Sequence, residues 1–325
     1  MSEPTVAVVI AAHNAERTLS KCIESVLDMD YPSEKLEVVV VNDDSSDATG
    51  EILARYAERI AVFETDKNVG PSVARNIGVG HTAADYVCFT DADCTVARDW
   101  VRQLLEAFGP GVGAVGGTQL SPDDETRFGR SVQKFLATVG FVGGYTRRHR
   151  AVAEVDHNPC CNVMYRREVF EKAGGFLPGL WPGEDVELDL RVGSQGHKIL
   201  FVPSARVYHY RPATLGGFSR MMRNYGRWSG GYLTRKRGFY RRLSYEPLGL
   251  AAVLVGALAV WRLLGIEVLG AGLLLAGVMI VAVFRLATTR TSEALLLALL
   301  FAVTVVQWNA GFCVGLFSEP RDWNG

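Results

Sequence analysis

Residues 85–93 read DYVCFTDAD. Tyr86–Thr90 has the length and apolar character of a short buried strand, and it delivers Asp91 and Asp93, one residue apart, to its carboxyl end. Carboxylates so placed repel each other unless something positive lies between them. Two readings follow: an acidic turn with a helix cap, or hard oxygen ligands for a divalent cation shared with a phosphate.

The same arrangement recurs on either side. TVAVVIAAHN (5–14) leads into a helical pattern ending near Val26, LEVVVVNDD (36–44) into one over Asp47–Tyr56, and IAVFET (60–65) into Val69–Val79; DYVCFTDAD is followed by Arg98–Phe108. Strand alternating with helix predicts an α/β fold, a parallel sheet covered on both faces. Ligands of such sheets gather at the carboxyl ends of the strands. His13-Asn14, Asn42-Asp43-Asp44 and Asp91-Ala92-Asp93 all fall there. Gly111-Val-Gly-Ala-Val-Gly116 fits the dinucleotide fingerprint by letter, but it lies inside the strand-like run GVGAVGGTQL and lacks an acidic residue about twenty positions on. It is read as a glycine-rich strand, and a nicotinamide cofactor is excluded. VAVVIAA at 6–12 is read as a strand rather than a signal peptide.

A chain of 325 residues with net charge −1 says nothing about partners through its overall charge. The distribution says more, because no acidic residue lies between Asp189 and Glu246 while basic ones run from Arg191 to Arg242. This segment is suited to phosphates or a membrane face. Beyond it, Pro247–Leu264, Val268–Leu286 and Ala294–Phe317 are nearly uncharged and long enough to cross a ~30 Å hydrocarbon core. The expected organisation is a cytoplasmic catalytic domain at 1–210, a basic amphipathic interfacial linker at 211–246, and three transmembrane helices with a short tail at 247–325. Arg235-Lys236-Arg237, Arg241, Arg242, Arg285 and Arg290 place the soluble domain on the cytoplasmic side of the cell membrane, multi-pass. No nucleic-acid partner is expected. The six cysteines show no metal-ligand spacing and are read as reduced packing residues, with Cys160-Cys161 a candidate lining of a site.

VVIAAHNAERTLSKCIESVL, VVVVNDDSSDAT, NVGPSVARNIG, FTDADC, CCNVMYRREVFEKAGGF and GEDVELDLRVGSQGHKILFVPSARVYH stand in an order and spacing that resembles family 2 glycosyltransferases over Val6–His209. The resemblance implies the GT-A fold, a Rossmann-like, mainly parallel sheet flanked by helices, here followed by a C-terminal transmembrane region. It also implies an enzyme that takes a sugar from a nucleotide diphosphate sugar with Mg2+ or Mn2+ and inverts the anomeric centre. A cation and basic side chains stabilise the departing diphosphate more in the transition state than in the ground state. Asp91 and Asp93 are assigned to that metal and the nucleotide sugar. Asp43 resembles the family's nucleotide-facing aspartate, although Asp44 fills the glycine position after it. The resemblance sets Arg75 toward the base or diphosphate, its alternative being a surface salt bridge, and Asn162 toward the donor or acceptor.

Glu184 and Asp185 follow PGLWPG and open a helix; the resemblance makes Asp185 the base that takes the acceptor's proton, and its alternative is a helix cap. Glu184 joins the nucleotide-sugar residues. Trp181 stacks on a sugar or packs. His209 joins the metal or diphosphate, or is a partly buried histidine. Asn224-Tyr-Gly-Arg227-Trp228 resembles an element of membrane polysaccharide synthases and assigns Arg227 and Trp228 to the donor diphosphate or the acceptor, against lipid-headgroup contact. The leading expectation is a membrane-anchored inverting enzyme acting on a lipid-linked or glycan hydroxyl acceptor. The alternatives are a polyprenyl-phosphate sugar synthase and a non-catalytic membrane glycan-binding or scaffold protein.

Overall fold

The computed structural model describes residues 3–140, 150–235 and, apart from 260 and 264, 256–317. The described residues form two units. The first takes in 3–125 and 150–211, the second 126–139 and 212–317.

The first unit is built on one sheet. β1 (Val6–Ala12) and β2 (Leu36–Asn42) pair in parallel, Val6 opposite Leu36 and Ala12 opposite Asn42. β4 (Tyr86–Phe89) lies parallel on the other side of β1, with Val6 opposite Tyr86, and β3 (Ala61–Glu64) lies parallel to β2. Val6–Ile10 and Val38–Asn42 are buried without interruption, as expected for strands covered on both faces. Helix α1 (Leu19–Leu27) covers them with Leu19, Cys22, Ile23 and Val26, the spacing that lines one helical face. Short helices α2 (Thr49–Ala54) and α4 (Trp100–Leu105) and the longer α3 (Pro71–Gly80) follow β2, β5 (Cys94–Val96) and β3 in turn. The register brings the carboxyl ends of β1, β2 and β4 to one edge.

Beyond β4 the sheet is mixed. β8 (Val163–Arg166) runs antiparallel to β4 and to β6 (Val112–Leu120), and β6 pairs in parallel with β9 (Lys198–His209). β5 and the short β7 (Ala153–Glu154) both pair antiparallel with β9. The run that mimics a dinucleotide motif is therefore strand β6. Its glycines admit the neighbouring backbone: a Cβ on Gly117 would lie 2.0 Å from Ala205 O. Immediately after this contact the ladder shifts. Gly117 stands opposite Val202 and Thr118 opposite Arg206, so Pro203, Ser204 and Ala205 have no ladder partner on β6. Helices α6 (Arg167–Ala173) and α7 (Glu184–Ser194) complete the unit.

The second unit consists of α5 (Arg127–Val139), α8 (Leu215–Arg235), α9 (Ile266–Arg285) and α10 (Thr291–Phe317). α5 joins it through Phe135, whose ring lies 5.7 Å from Phe218 and 6.0 Å from Phe284, and through a 3.0 Å ion pair from Lys134 to Glu293. The first half of the expected interfacial linker is helix α8, whose backbone meets that of α10: a Cβ on Gly226 would lie 2.0 Å from Trp308 O. Of the three expected membrane spans, the first lies for the most part outside the described residues. The second falls on α9, whose apolar stretch Leu269–Arg285 is short for a span. The third falls on α10, the one helix among the described residues that is long and apolar enough to cross a bilayer, with a mean hydropathy of 1.9. Of the expected multi-pass arrangement, the described residues show this single candidate span.

Gly117→Ala forces a methyl group into the Ala205 backbone and is expected to destabilise the first unit by about 3 kcal/mol, read as a lowered urea midpoint. Gly193→Ala, where an added Cβ meets nothing, is the control.

Candidate active site

At the β2 end, Asp43 is buried, and its carboxylate holds the loop between β3 and α3. Oδ1 accepts from Thr65 Oγ1 at 2.9 Å and Val69 N at 2.7 Å, and Oδ2 from Gly70 N at 2.8 Å. Asp44 takes φ 52°, the left-handed conformation expected of the glycine it replaces, at a cost of about 1–2 kcal/mol. Asn14, at φ 50°, accepts at Oδ1 from Ser46 N at 2.8 Å. His13 Nδ1 lies 2.6 Å from Asp43 O. The ends of β1 and β2 are thus stitched into one polar loop cluster.

Arg75, projecting from α3, is only 4% exposed and lies between two carboxylates. One terminal nitrogen donates to Asp91 Oδ1 and the other to Glu184 Oε1, each at 2.7 Å. Its Nε is buried without a hydrogen-bond partner, and the guanidinium lies 5.7 Å from the Phe176 ring centre. Glu184 Oε2 also accepts from Gly183 N. Burial, with Asp185 beside it, pushes Glu184 up to about 7 against the pull of Arg75.

Asp185 is partly exposed at the first turn of α7. Its Oδ1 accepts from Val186 N at 2.7 Å and its Oδ2 from Cys160 N at 3.1 Å, so the carboxylate is oriented but not enclosed. Behind it lies a buried network that the sequence reading missed. His157 Nδ1 is 3.0 Å from Asp189 Oδ2 and its Nε2 3.9 Å from Asp185 Oδ2. Tyr165 Oη donates to Asp189 Oδ1 at 2.7 Å. Burial raises Asp189 above the ordinary carboxylate range despite these donors. The four-residue interval between Asp185 and Asp189 was the available signal, since it places both on one helical face. Nothing near His157 in the sequence marks it.

Asp93 is half exposed, and its Oδ1 lies 3.2 Å from His209 Nε2. Against the cost of burial, His209 and then Arg211 hold Asp93 below the usual carboxylate range. Burial and Arg211 disfavour the His209 imidazolium, but Asp93 and the Cys161 thiol outweigh them and bring its pKa to about 10. Ligand atoms of Asp91, Asp93, Cys94 and His209 all lie within 4.8 Å of one another. Two carboxylates are donors suited to Mn2+ or Mg2+, and the imidazole adds one nitrogen donor. Asp91 keeps one oxygen free of Arg75, and His209 Nδ1 is buried without a hydrogen-bond partner. The residues present therefore fit a divalent cation.

Asn162, expected at the nucleotide sugar, is fully buried with its amide committed inside the domain. Oδ1 accepts from Trp100 Nε1 at 2.8 Å, and Nδ2 donates to Thr118 O and Ala205 O, each at 3.0 Å. Its place is beneath the cluster, tying α4 and β6 to β9. Trp181 is exposed. Arg227 and Trp228 lie on α8 in the second unit. The structure thus brings Arg75, Asp91 and Glu184 into direct contact, with Asp185 next to Glu184 and the Asp93–His209 pair beside Asp91.

A domain model described as glycosyl transferase family 2 matches residues 7–174. The chain belongs to glycosyl transferase family 2. It is 30% identical over 223 residues to the probable glycosyltransferase YdaM of Bacillus subtilis, covering 65% of this chain and 52% of that protein. With glycosyltransferase AglE of Haloferax volcanii it shares 27% identity over 204 residues, 61% of this chain and 64% of the relative. The chain thus spans about half to two-thirds of the length of these curated relatives. The mannosyltransferase PcManGT from Pyrobaculum calidifontis, solved with GDP-Man and Mn2+, has a similar fold, with a TM-score of 0.63 at 20% identity over 92% of this chain and 87% of its own. The fold of this family 2 member is GT-A, as its motifs imply.

Arg75→Met removes the cation shared by two buried carboxylates. It is expected to cost about 3–5 kcal/mol, visible as a lower thermal midpoint. Arg75→Lys, a point charge unable to hold both partners in a fork, should recover less than half of that loss.

Proposed function

We propose that this protein is a membrane-anchored inverting glycosyltransferase that passes a sugar from a nucleotide diphosphate sugar to a hydroxyl group of a lipid-linked or glycan acceptor. The observation that carries this reading is the chain of contacts Asp91–Arg75–Glu184. It joins Asp91 of the strand-end acidic pair to Glu184, the chain neighbour of Asp185, through one buried guanidinium. Family membership supports the reaction class, and the GDP-Man and Mn2+ held by the mannosyltransferase support a metal-assisted nucleotide-sugar donor.

In this reading Asp91, Asp93 and His209 would hold a divalent cation, Mg2+ or Mn2+, which when bound supplies positive charge against the departing diphosphate. Asp43 and the loop it pins shape the floor for the nucleotide. Arg75 and Glu184 act on the donor through Asp91, whose orientation they fix. Asp185 accepts the proton of the acceptor hydroxyl at a carboxylate oxygen as that hydroxyl attacks the anomeric carbon. The main-chain donors of Cys160 and Val186 keep it from swinging away. Attack opposite the leaving group in a single displacement inverts the anomeric centre. α10 gives the chain a means of sharing the membrane with a lipid-linked acceptor, which raises the acceptor's local concentration.

Nucleotide sugars screened by thermal shift should stabilise the protein only for one nucleotide class and only with Mn2+ present, and Asp93→Ala should remove the effect. Asp185→Asn should keep donor binding and lose about 10²–10⁴-fold in transfer to a hydroxyl acceptor. Transfer that survives this substitution points instead to a phosphate acceptor, which arrives ionised and needs no base. The anchor predicts that the full chain stays in the membrane pellet after an alkaline carbonate wash and is released by detergent.

A further inference from the structure

The cysteines, read from sequence as packing residues, are not all alike in space. Cys94 opens β5 and His209 closes β9, and the two are directly opposite each other in the antiparallel ladder. Cys161 lies in the short turn Cys160–Asn162 that leads into β8. Although far apart in sequence, Cys94 Sγ, Cys161 Sγ and a ring nitrogen of His209 lie within 4.8 Å of one another. Both thiols are buried, at 1% and 4% exposure. His209 presents Nε2 to Asp93 Oδ1 at 3.2 Å, while its Nδ1 is buried and lacks a hydrogen-bond partner.

A ring held by a carboxylate through one nitrogen and lying within reach of two thiols is the arrangement found around thiophilic cations, in which the carboxylate fixes the ring's tautomer and orientation. Hard cations such as Mg2+ have no use for thiols, whereas thiolate and imidazole together select Zn2+ and ions like it. We propose that Cys94, Cys161 and His209 form a binding site for a thiophilic divalent cation of the Zn2+ class that overlaps the Asp91–Asp93 site at His209. A carboxylate of that pair, already within 4.8 Å of Cys94 and His209, completes a tetrahedral set. Binding converts two thiols to thiolates and releases their protons to solvent. Because His209 serves one ion at a time, the soft cation competes with Mn2+ for it.

Metal-free full-length protein in detergent is titrated with Co2+ and followed by absorption. The expected result is thiolate-to-cobalt charge transfer in the near ultraviolet, saturating at one Co2+ per chain. It should vanish in Cys94→Ser and Cys161→Ser, persist in Asp91→Asn, and require several-fold more Co2+ when excess Mn2+ is present. Zinc K-edge absorption of the unsubstituted protein reads the same site without a variant, and should show two sulfur neighbours at about 2.3 Å. Absence of charge transfer in the unsubstituted chain overturns the proposal. So do bands that survive both serine substitutions in proteins that still unfold cooperatively, and so does a zinc shell of oxygen and nitrogen alone.

Discussion

A single buried guanidinium governs the geometry of the first unit's polar edge. Stripping Arg75 of water costs several kcal/mol, and only well-formed ionic hydrogen bonds offset that cost. Asp91 and Glu184 supply them at 2.7 Å each. The arrangement has no slack, because moving either carboxylate leaves a charge exposed to a poorly polarisable interior. Asp91 comes from the end of β4 and Glu184 from the start of α7, segments far apart in sequence. One cation thus clamps the strand that carries the acidic pair to the helix that carries Asp185. Burial keeps Glu184 near neutrality in its titration, so the charge of this junction is itself set by the surrounding protein.

Much of this was legible in the chain because parallel sheets gather their loops at one edge. Once 5–14, 36–44 and 85–93 read as buried strands of one parallel sheet, the gathering of Asn14, Asp43 and Asp91 at one sheet edge followed from topology. Less legible was what each group does on arrival. Asp43 and Asn162 were assigned from motifs to the nucleotide sugar, yet the carboxylate of Asp43 ties down a loop and the amide of Asn162 bridges strands and a helix. No local pattern reports where a side chain's hydrogen bonds go. His157 and Asp189 were hidden for a related reason, since their partnership depends on a loop folding back beneath α7. The cysteines read as packing residues because Cys94 and His209 are neighbours only through the pairing of β5 with β9. Metal-ligand spacing in sequence detects sites built on one hairpin, not sites built across a ladder.

The helical unit illustrates a limit of hydropathy. α9 and α10 are both strongly apolar, yet only α10 has the length of a span among the described residues. The basic run, expected to lie along a membrane surface, is helical over α8, and that helix meets α10 closely enough for backbones to touch at Gly226 and Gly311. Small residues at such crossings are characteristic of helices whose association depends on close contact rather than on water-driven burial.

Pro203, Ser204 and Ala205, left without ladder partners where β9 slips past β6, have an effect several residues downstream. Side chains of a strand alternate sides with a period of two, so an odd insertion exchanges the two sides for everything beyond it. His209 lies beyond it. The parity of that interruption, rather than any contact His209 makes, decides which surface of the sheet receives the imidazole. Had the two strands paired straight through instead, the same ring would face the opposite side with every amino acid of the cluster in place.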